Sequence, residues 1–315
     1  MPELIRRNCG TCGKPLTAVE ASIMLNHPSC DPVLQDLELV PPPVEPPPTV
    51  VPPAGAPIKV TGVPSPEVAH EVKQELSTIL IWSEQHSPRS QQVNIGPSEL
   101  GTDCDRQLAY RVMGLTGPND GMADPWPAFV GSAIHTRIEA AIRKYERAHP
   151  HADPWNIEER VVADPLISGC ADLNRKWLLV DIKSAGKDVM DKVRKNDISL
   201  RNIKQIMVYA KGLRDAGRPI THVALVFVPR AGWLKDMHVW AAPYDEAIAL
   251  AAIARPYELA AKLQELDVVN HPHRWNLIDA SPSFACQWCP MYDRYVPAEL
   301  GASDKGCPGY QTGKK

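Results

Sequence analysis

Apolar positions along the chain follow two different spacings after about residue 66. Apolar residues three and four positions apart are typical of helices, and short apolar runs bounded by turn residues are typical of strands. Helices are predicted over 66–86, around Cys104, around His135, over 188–215 and over 244–266. Strands are predicted over 157–163, 166–173, 177–184, 221–230 and 235–243. The predicted order is therefore helices, three strands, a helix, two strands and a helix.

The predicted strand "WLLVDIKS" carries two opposite charges within an apolar run. Successive side chains on a strand point to opposite faces, so Leu179, Asp181 and Lys183 share one face. Charges in a sheet are costly unless they are paired or bound to a metal. Two interpretations follow: a structural ion pair at a strand end, or a functional site.

Asp172 lies on the preceding predicted strand and changes the balance between these interpretations. If Arg175 and Lys176 form the turn, Asp172 lies opposite Leu179 and diagonal to Asp181, roughly 7–8 Å away. Two carboxylates at that distance could share one divalent cation, and oxygen ligands suit Mg²⁺ or Mn²⁺. Lys183 would point to the same place and could orient a water molecule or stabilise charge on a phosphate.

Asp172 followed by Asp181-Ile182-Lys183 resembles the signature of the PD-(D/E)xK nuclease superfamily. Two helical motifs extend the resemblance to its RecB-type members: "GSAIHTRIEAAI" resembles their G-x-x-x-H helix, and "QIMVYA" resembles their Q-x-x-x-Y motif. The resemblance implies an α/β fold, with a mixed sheet flanked by helices. It also implies the following roles: a further metal ligand at His135, and groups that hold the site and contact DNA at Gln205 and Tyr209. By spacing alone, either helical motif could be an ordinary helix surface.

Four cysteines bracket these motifs: Cys104, Cys286, Cys289 and Cys307. This arrangement resembles the iron–sulfur RecB-like nucleases, among them the CRISPR-associated nucleases of the fourth Cas family and the nuclease domain of AddB. The surrounding C-x-R-x-x-x-Y pattern is present as Cys104, Arg106 and Tyr110. The resemblance implies a [4Fe–4S] cluster that joins the C-terminal cysteines to the start of the domain. The gap before Cys307 is longer than is usual in this family, and a four-cysteine zinc site stays open. Cys170 is interpreted as a small buried residue.

The chain divides into three predicted parts: residues 1–38, residues 39–66 and residues 67–315. The first part holds a C-x-x-C and an H-x-x-C half-site that together match a structural zinc knuckle; its ligands would be Cys9, Cys12, His27 and Cys30. The second is dense in proline and predicts an extended spacer. The third is the predicted nuclease domain.

Bulk composition fits a globular protein, with 44% hydrophobic and 23% charged residues and a formal net charge of −3. We expect a cytoplasmic protein, since the sequence has no apolar run of membrane length, no signal peptide and cysteines spaced for metals. Basic residues outnumber acids in the segment 187–214. That segment is either a phosphate-facing patch or a solvated helix.

These observations predict a Mg²⁺- or Mn²⁺-dependent DNA exonuclease, as the resemblance implies, acting in recombination, repair or phage DNA processing. Asp172 and Asp181 would hold the metal, His135 would complete its shell, and Lys183 would orient the attacking water. Three alternatives stay open: an endonuclease of the same fold, a non-catalytic DNA-binding or adaptor protein, and a metalloprotein in which D-x-K is accidental. The expected partner is DNA, not a membrane. A protein partner of the knuckle and a homo-oligomer also stay open.

Overall fold

The computed structural model describes residues 65–86, 95–119, 124–150, 153–297 and 299–309. The predicted zinc knuckle (1–38) lies outside the described residues, as does nearly all of the proline-rich spacer (39–66). Both stay predictions. None of the helices in the described part of the chain is long and apolar enough to cross a membrane.

The described residues form helices and strands in the predicted order. The helices are α1 Pro66–Gln85, α2 Pro97–Leu100, α3 Asp105–Val112, α4 Trp126–Ala148, α5 Lys187–Val193, α6 Leu200–Asp215 and α7 Glu246–Glu265. The strands are β1 Asn156–Asp164, β2 Ile167–Arg175, β3 Leu178–Ala185, β4 His222–Pro229 and β5 His238–Pro243. Short 3₁₀ helices cover Leu234–Asp236, Pro272–Leu277 and Phe284–Trp288.

The five strands form one sheet in the order β1-β2-β3-β4-β5. Only β3 and β4 run parallel to each other; the other neighbours are antiparallel. A parallel pair needs a long crossover connection, which α5 and α6 provide here. The prediction of an α/β fold with a mixed sheet flanked by helices is confirmed.

Helices cover both faces of the sheet at β3. Leu179 packs in a core with Ile206 and Met207 of α6. Val180 and Ile182 pack in a separate cluster that includes Ile138 and Ile142 of α4. The predicted alternation along β3 is therefore confirmed, and it directs Asp181 and Lys183 toward the α6 side.

A second core joins α2, α3 and α7 to the C-terminal segment. Tyr110 of α3 stacks on Trp275 with ring centroids 4.2 Å apart, and Met291 is buried in the same core. This core places Cys104, at the N-terminus of α3, next to residues from the last part of the chain.

The predicted turn of the β2–β3 hairpin is wrong by one position. Arg175 pairs with Leu178, so the turn residues are Lys176 and Trp177. Lys176 adopts a left-handed φ of 48°, which two-residue hairpin turns require. The register consequently moves by two residues, and such a shift leaves every side chain on its predicted face.

The single helix predicted over 188–215 is also wrong. The segment forms two helices, α5 and α6, with residues 194–199 between them. Asn196 adopts a left-handed φ of 61°, a conformation that asparagine tolerates better than most residues and that ends helices.

Candidate active site and cysteine cavity

The regular alternation of β1 and β2 breaks where the acidic residues meet. Ile157 and Leu173 pack on the α4 side of the sheet, whereas Val161 and Ala171 pack in the core on the α6 side. Separations of two and four residues would keep each pair on one face of a regular strand. The break falls at Glu158, which adopts a left-handed φ of 55°.

Glu158, Asp172 and His135 converge at this break. His135 Nδ1 lies 3.5 Å from Asp172 Oδ2. Each of the three residues offers one ligand atom, and these atoms all lie within 4.8 Å of one another. Among the described residues this is the one group of three or more His, Cys, Asp or Glu side chains with that spacing.

Glu158 was missed by the sequence reasoning, which placed it only within a strand. The β1–β2 ladder pairs Ile157 with Leu173 and Glu159 with Ala171, so Glu158 falls opposite Asp172. A hairpin register would have brought the two acids together. The spacing of a motif within one strand could not.

Asp181 is 3% exposed and forms a second, connected cluster with Lys183 and Gln205. Lys183 Nζ lies 2.8 Å from Asp181 Oδ2 and donates to Gln205 Oε1 at 2.8 Å. Gln205 Nε2 donates to Asp181 Oδ1 at 3.2 Å. Continuing the β2–β3 register beyond Leu173 and Val180 places Asp172 opposite Asp181. Asp172 Oδ2 accepts the backbone N–H of Ile182 at 2.6 Å.

Burial and the close spacing of several carboxyl groups raise the pKa values of the acids in this site. Burial raises the pKa of Asp181, against the opposing effect of Lys183. Burial, and next the charges of Asp172 and Glu139, raise the pKa of Glu158 to about 7. The hydrogen bond to Asp172 raises the pKa of His135. A divalent cation would relieve this crowding, and a set of carboxylate oxygens with one imidazole suits Mg²⁺ or Mn²⁺.

Tyr209 lies one helical turn beyond Gln205 and is buried in the α6-side core. Its hydroxyl packs against Gly169 of β2: a Cβ added there would lie 2.8 Å from the hydroxyl oxygen. Gly169 thus permits the close approach of α6 to the strand that carries Asp172. The structure places Gln205 against the candidate catalytic pair and Tyr209 against the backbone beside it.

The four predicted cluster cysteines line one cavity of about 380 Å³, together with Arg106 and Tyr110. Cys104 begins α3, Cys286 and Cys289 lie at the last 3₁₀ helix, and Cys307 follows in the C-terminal segment. Backbone pairing fixes Cys307, whose N–H donates to Met291 O at 2.7 Å. Arg106 Nη1 lies 3.7 Å from Cys307 Sγ.

The chemistry of this cavity favours a centre that binds thiolates. Burial, together with the charges of the other three thiols, raises the pKa of Cys289 to about 11. Tetrahedral zinc with Zn–S bonds of about 2.3 Å would bring sulfur atoms to about 3.8 Å from one another. The four sulfur atoms, all in the described part of the chain, do not form a group within 4.8 Å. A single zinc ion could therefore not bond all four sulfur atoms in this arrangement.

Two further sequence interpretations change with the structure. Cys170 is exposed on β2, so its interpretation as a small buried residue is wrong. Several basic residues of 187–214 are paired with acids, at Lys187–Asp191, Arg194–Asp236, Lys204–Asp103 and Lys211–Asp215. This pairing offsets part of the positive charge on the surface of the segment and favours the solvated-surface interpretation.

No protein-family profile and no curated protein matches this sequence. Several solved structures are similar to parts of it. An alkaline exonuclease (LHK-Exo) from Laribacter hongkongensis is 10% identical, with a TM-score of 0.41, over 56% of this chain and 91% of that chain. SSO0001 is 15% identical, with a TM-score of 0.37, and the match covers 70% of this chain and 94% of that chain. A phage-related exonuclease from Haemophilus somnus 129PT is 13% identical, with a TM-score of 0.30, and the match covers 42% of this chain and 69% of that chain. At these values, function has to be argued from the site's own geometry.

Proposed function

We propose that this protein is a divalent-metal-dependent deoxyribonuclease that hydrolyses phosphodiester bonds. One observation carries the proposal: the ligand atoms of His135, Glu158 and Asp172 lie within 4.8 Å of one another. They do so beside the buried pair of Asp181 and Lys183. An arrangement of oxygen ligands, one imidazole and one ammonium suits metal-assisted attack on a phosphate.

Each residue has a distinct part in the proposed reaction. His135, Asp172, Asp181 and Glu158 would hold Mg²⁺ or Mn²⁺. The bound ion would supply Lewis acidity and lower the pKa of a coordinated water. Lys183 already forms an ion pair with Asp181 and donates to Gln205, and an ammonium group has three donors. Its remaining N–H would orient the attacking water or contact a phosphate oxygen.

Gln205 would hold the Lys183 ammonium and the Asp181 carboxylate in fixed positions through its two polar atoms. Tyr209 would support the same site indirectly, by packing α6 against β2. This supporting role for Tyr209 replaces direct DNA contact in our proposal.

The finer assignment is an exonuclease that acts on DNA ends in recombination, repair or phage DNA processing. An endonuclease of the same fold would share the site and differ in needing no free end. A non-catalytic adaptor is less consistent with a buried acid and ammonium held by a glutamine, because retaining such charges without a use is costly.

We further propose that Cys104, Cys286, Cys289 and Cys307 hold a [4Fe–4S] cluster, with zinc as the alternative occupant. The cavity that all four line supports this proposal. The role would be structural, since hydrolysis transfers no electron. The zinc site at Cys9, Cys12, His27 and Cys30 is kept as a proposal from sequence alone, as are a protein partner for it and a homo-oligomer.

The test uses anaerobically purified full-length protein, end-labelled linear DNA and covalently closed circular DNA. We expect Mn²⁺-dependent loss of the linear DNA only, none in EDTA, and about four irons per chain. Cleavage of circular DNA would replace the exonuclease with the endonuclease. Absence of cleavage of both substrates, with all metals supplied, would contradict the nuclease proposal. Zinc in place of iron would overturn only the cluster assignment.

A further inference from the structure

We propose that the β4–β5 loop, residues 230–237, is a binding ridge for unpaired nucleobases of the DNA strand that enters the site. The inference rests on the proposed nuclease function for the identity of the ligand. Its structural basis is separate from the metal site: two exposed apolar side chains, a rigid loop beneath them, and an arginine between them and β3.

The ridge consists of two neighbouring side chains at the tip of the loop. Trp233 is 73% exposed and Leu234 is 80% exposed. Met237 and Val239, which follow them, are also exposed. Apolar side chains grouped on a surface in this way often mark an interaction site.

The loop beneath the ridge is braced, which distinguishes it from a mobile surface turn. Asp236 Oδ2 accepts the backbone N–H of Trp233 at 3.0 Å, and Arg194 Nη2 donates to Asp236 O at 3.2 Å. Gly232 adopts a φ of 134° that other residues rarely adopt, and this sharp bend directs the chain into the tip. Trp233 and Leu234 are therefore held outward before any ligand arrives, which lowers the entropic cost of binding.

Arg230 connects the ridge to the candidate active site. Its backbone N–H donates to Ala185 O at 2.9 Å, and its Nε donates to Ser184 Oγ at 3.2 Å. Ser184 follows Lys183 directly, and a Cβ on Gly131, one helical turn before His135, would lie 3.6 Å from Ser184 Oγ. The exposed guanidinium thus lies next to both elements that carry the site.

A flat aromatic ring, an aliphatic neighbour and an adjacent guanidinium match the chemistry of single-stranded DNA. Any base can stack on an indole, and arginine can contact the phosphate that follows. A duplex presents its bases already stacked, so only an unpaired end could use the ridge. The ridge would hold that end while Arg230 contacts the adjoining phosphate.

Binding of a short single-stranded oligonucleotide to the full-length protein tests the proposal, measured by fluorescence anisotropy in EDTA so that no cleavage occurs. We expect Trp233→Ala to weaken binding about 10-fold, within the range for loss of one base stack. Leu234→Ala should weaken it less. The matched control is Trp177→Ala, because Trp177 is 51% exposed in the hairpin at the opposite end of β3. This control should bind like the wild type.

Two additional measurements separate stacking from phosphate contact. Quenching of tryptophan fluorescence by the oligonucleotide should be lost in Trp233→Ala and kept in Trp177→Ala. Arg230→Ala should lower the slope of log affinity against log salt by about 1, and Arg230→Lys should restore it. Wild-type affinity in Trp233→Ala, or an equal loss in Trp177→Ala, would overturn the inference.

Failure of this inference is distinguishable from failure of the proposed function. Metal-dependent cleavage by the wild type, with unchanged binding in Trp233→Ala, would overturn the ridge and keep the nuclease. Trp233-dependent binding without cleavage under any metal would keep the ridge and overturn the nuclease.

Discussion

The two candidate metal centres of this domain are built in opposite ways. The carboxylate site takes its side chains from regular elements, β1, β2, β3, α4 and α6. Its charged groups are joined by ion pairs and by hydrogen bonds to Gln205. The cysteine cavity takes Cys104 from the start of α3 and its other three thiols from segments with little regular structure. The first site is shaped by the sheet, whereas the second is shaped by contacts between distant parts of the chain.

Because of this difference, we expect the two candidate centres to depend on metal in different ways. The sheet and its two flanking cores position the strands that carry the carboxylates. The cysteine-bearing segment packs on the second core through Met291, Ala302, Cys289 and Cys307 and adds a few backbone hydrogen bonds. We therefore expect metal loss to abolish function at the first centre and to loosen structure at the second.

The largest expected effect comes from the buried acid. Asp181→Asn removes a proposed metal ligand and the partner of Lys183, and cleavage should fall on the order of 1000-fold. The protein should keep its fold and its cysteine-bound metal. The measurement is release of acid-soluble nucleotides, with Asp215→Asn on α6 as a control that keeps full activity. Substantial activity in Asp181→Asn would remove this residue from the mechanism.

A smaller effect is expected at the residue that positions Lys183. Gln205→Leu deletes hydrogen bonds to both Lys183 and Asp181, and kcat should drop roughly 10–100-fold. KM should change little, because Gln205 is not proposed to contact DNA. The exposed Gln264→Leu on α7 is the matched control. An increase in KM at unchanged kcat would instead indicate a substrate contact.

The cysteine cavity should respond in stability rather than in chemistry. Cys289→Ser should remove its metal and cost about 2–3 kcal/mol, a decrease in Tm of roughly 5–10 °C. Elemental analysis and thermal denaturation measure the two effects, and the exposed Cys170→Ser serves as the control. Unchanged metal content in Cys289→Ser would contradict the assignment.

The smallest effect tests how the two regions are joined. Arg255 of α7 bonds to Asp105 at 2.7 Å, to Leu100 O at 3.1 Å and to Thr102 O, and so ties down the segment that precedes Cys104. Arg255→Ala should lower the free energy of unfolding by about 2 kcal/mol, measured in urea. Activity per folded molecule should not change. A loss of kcat as large as that of Gln205→Leu would show that the two regions are coupled.

Local features of this fold could be predicted from the sequence, whereas features that depend on how two strands pair or on the backbone conformation of a single residue could not. The alternation along β3 correctly placed Asp181 and Lys183 on one face because it depends on strand geometry alone. The hairpin turn was misplaced because Lys176 adopts a left-handed φ, which lysine does not signal. The break between α5 and α6 falls at Asn196, a residue type that does favour this conformation, so the sequence carried a signal there that the helical spacing of the segment concealed.

The residues of the candidate site also divide into those that the sequence could identify and one that it could not. His135, Asp172, Asp181 and Lys183 were named from motifs, and the structure brings them into neighbouring clusters. Glu158 has no motif, and it joins the group only through its ladder position opposite Asp172 and its left-handed backbone. Such a residue becomes visible only when the pairing of two strands is known.

The long reach of the cysteine cavity sets an order of events during synthesis. The contact between Arg106 and Cys307 spans 201 positions, whereas the bonds that join Gln205 to Lys183 and Asp181 span 22 and 24. A ribosome releases the whole sheet and both carboxylate clusters before it makes Cys307. The nascent chain therefore acquires the parts of the proposed hydrolytic centre first and closes its cysteine cavity last. Insertion of the proposed cofactor would follow translation of nearly the whole described domain.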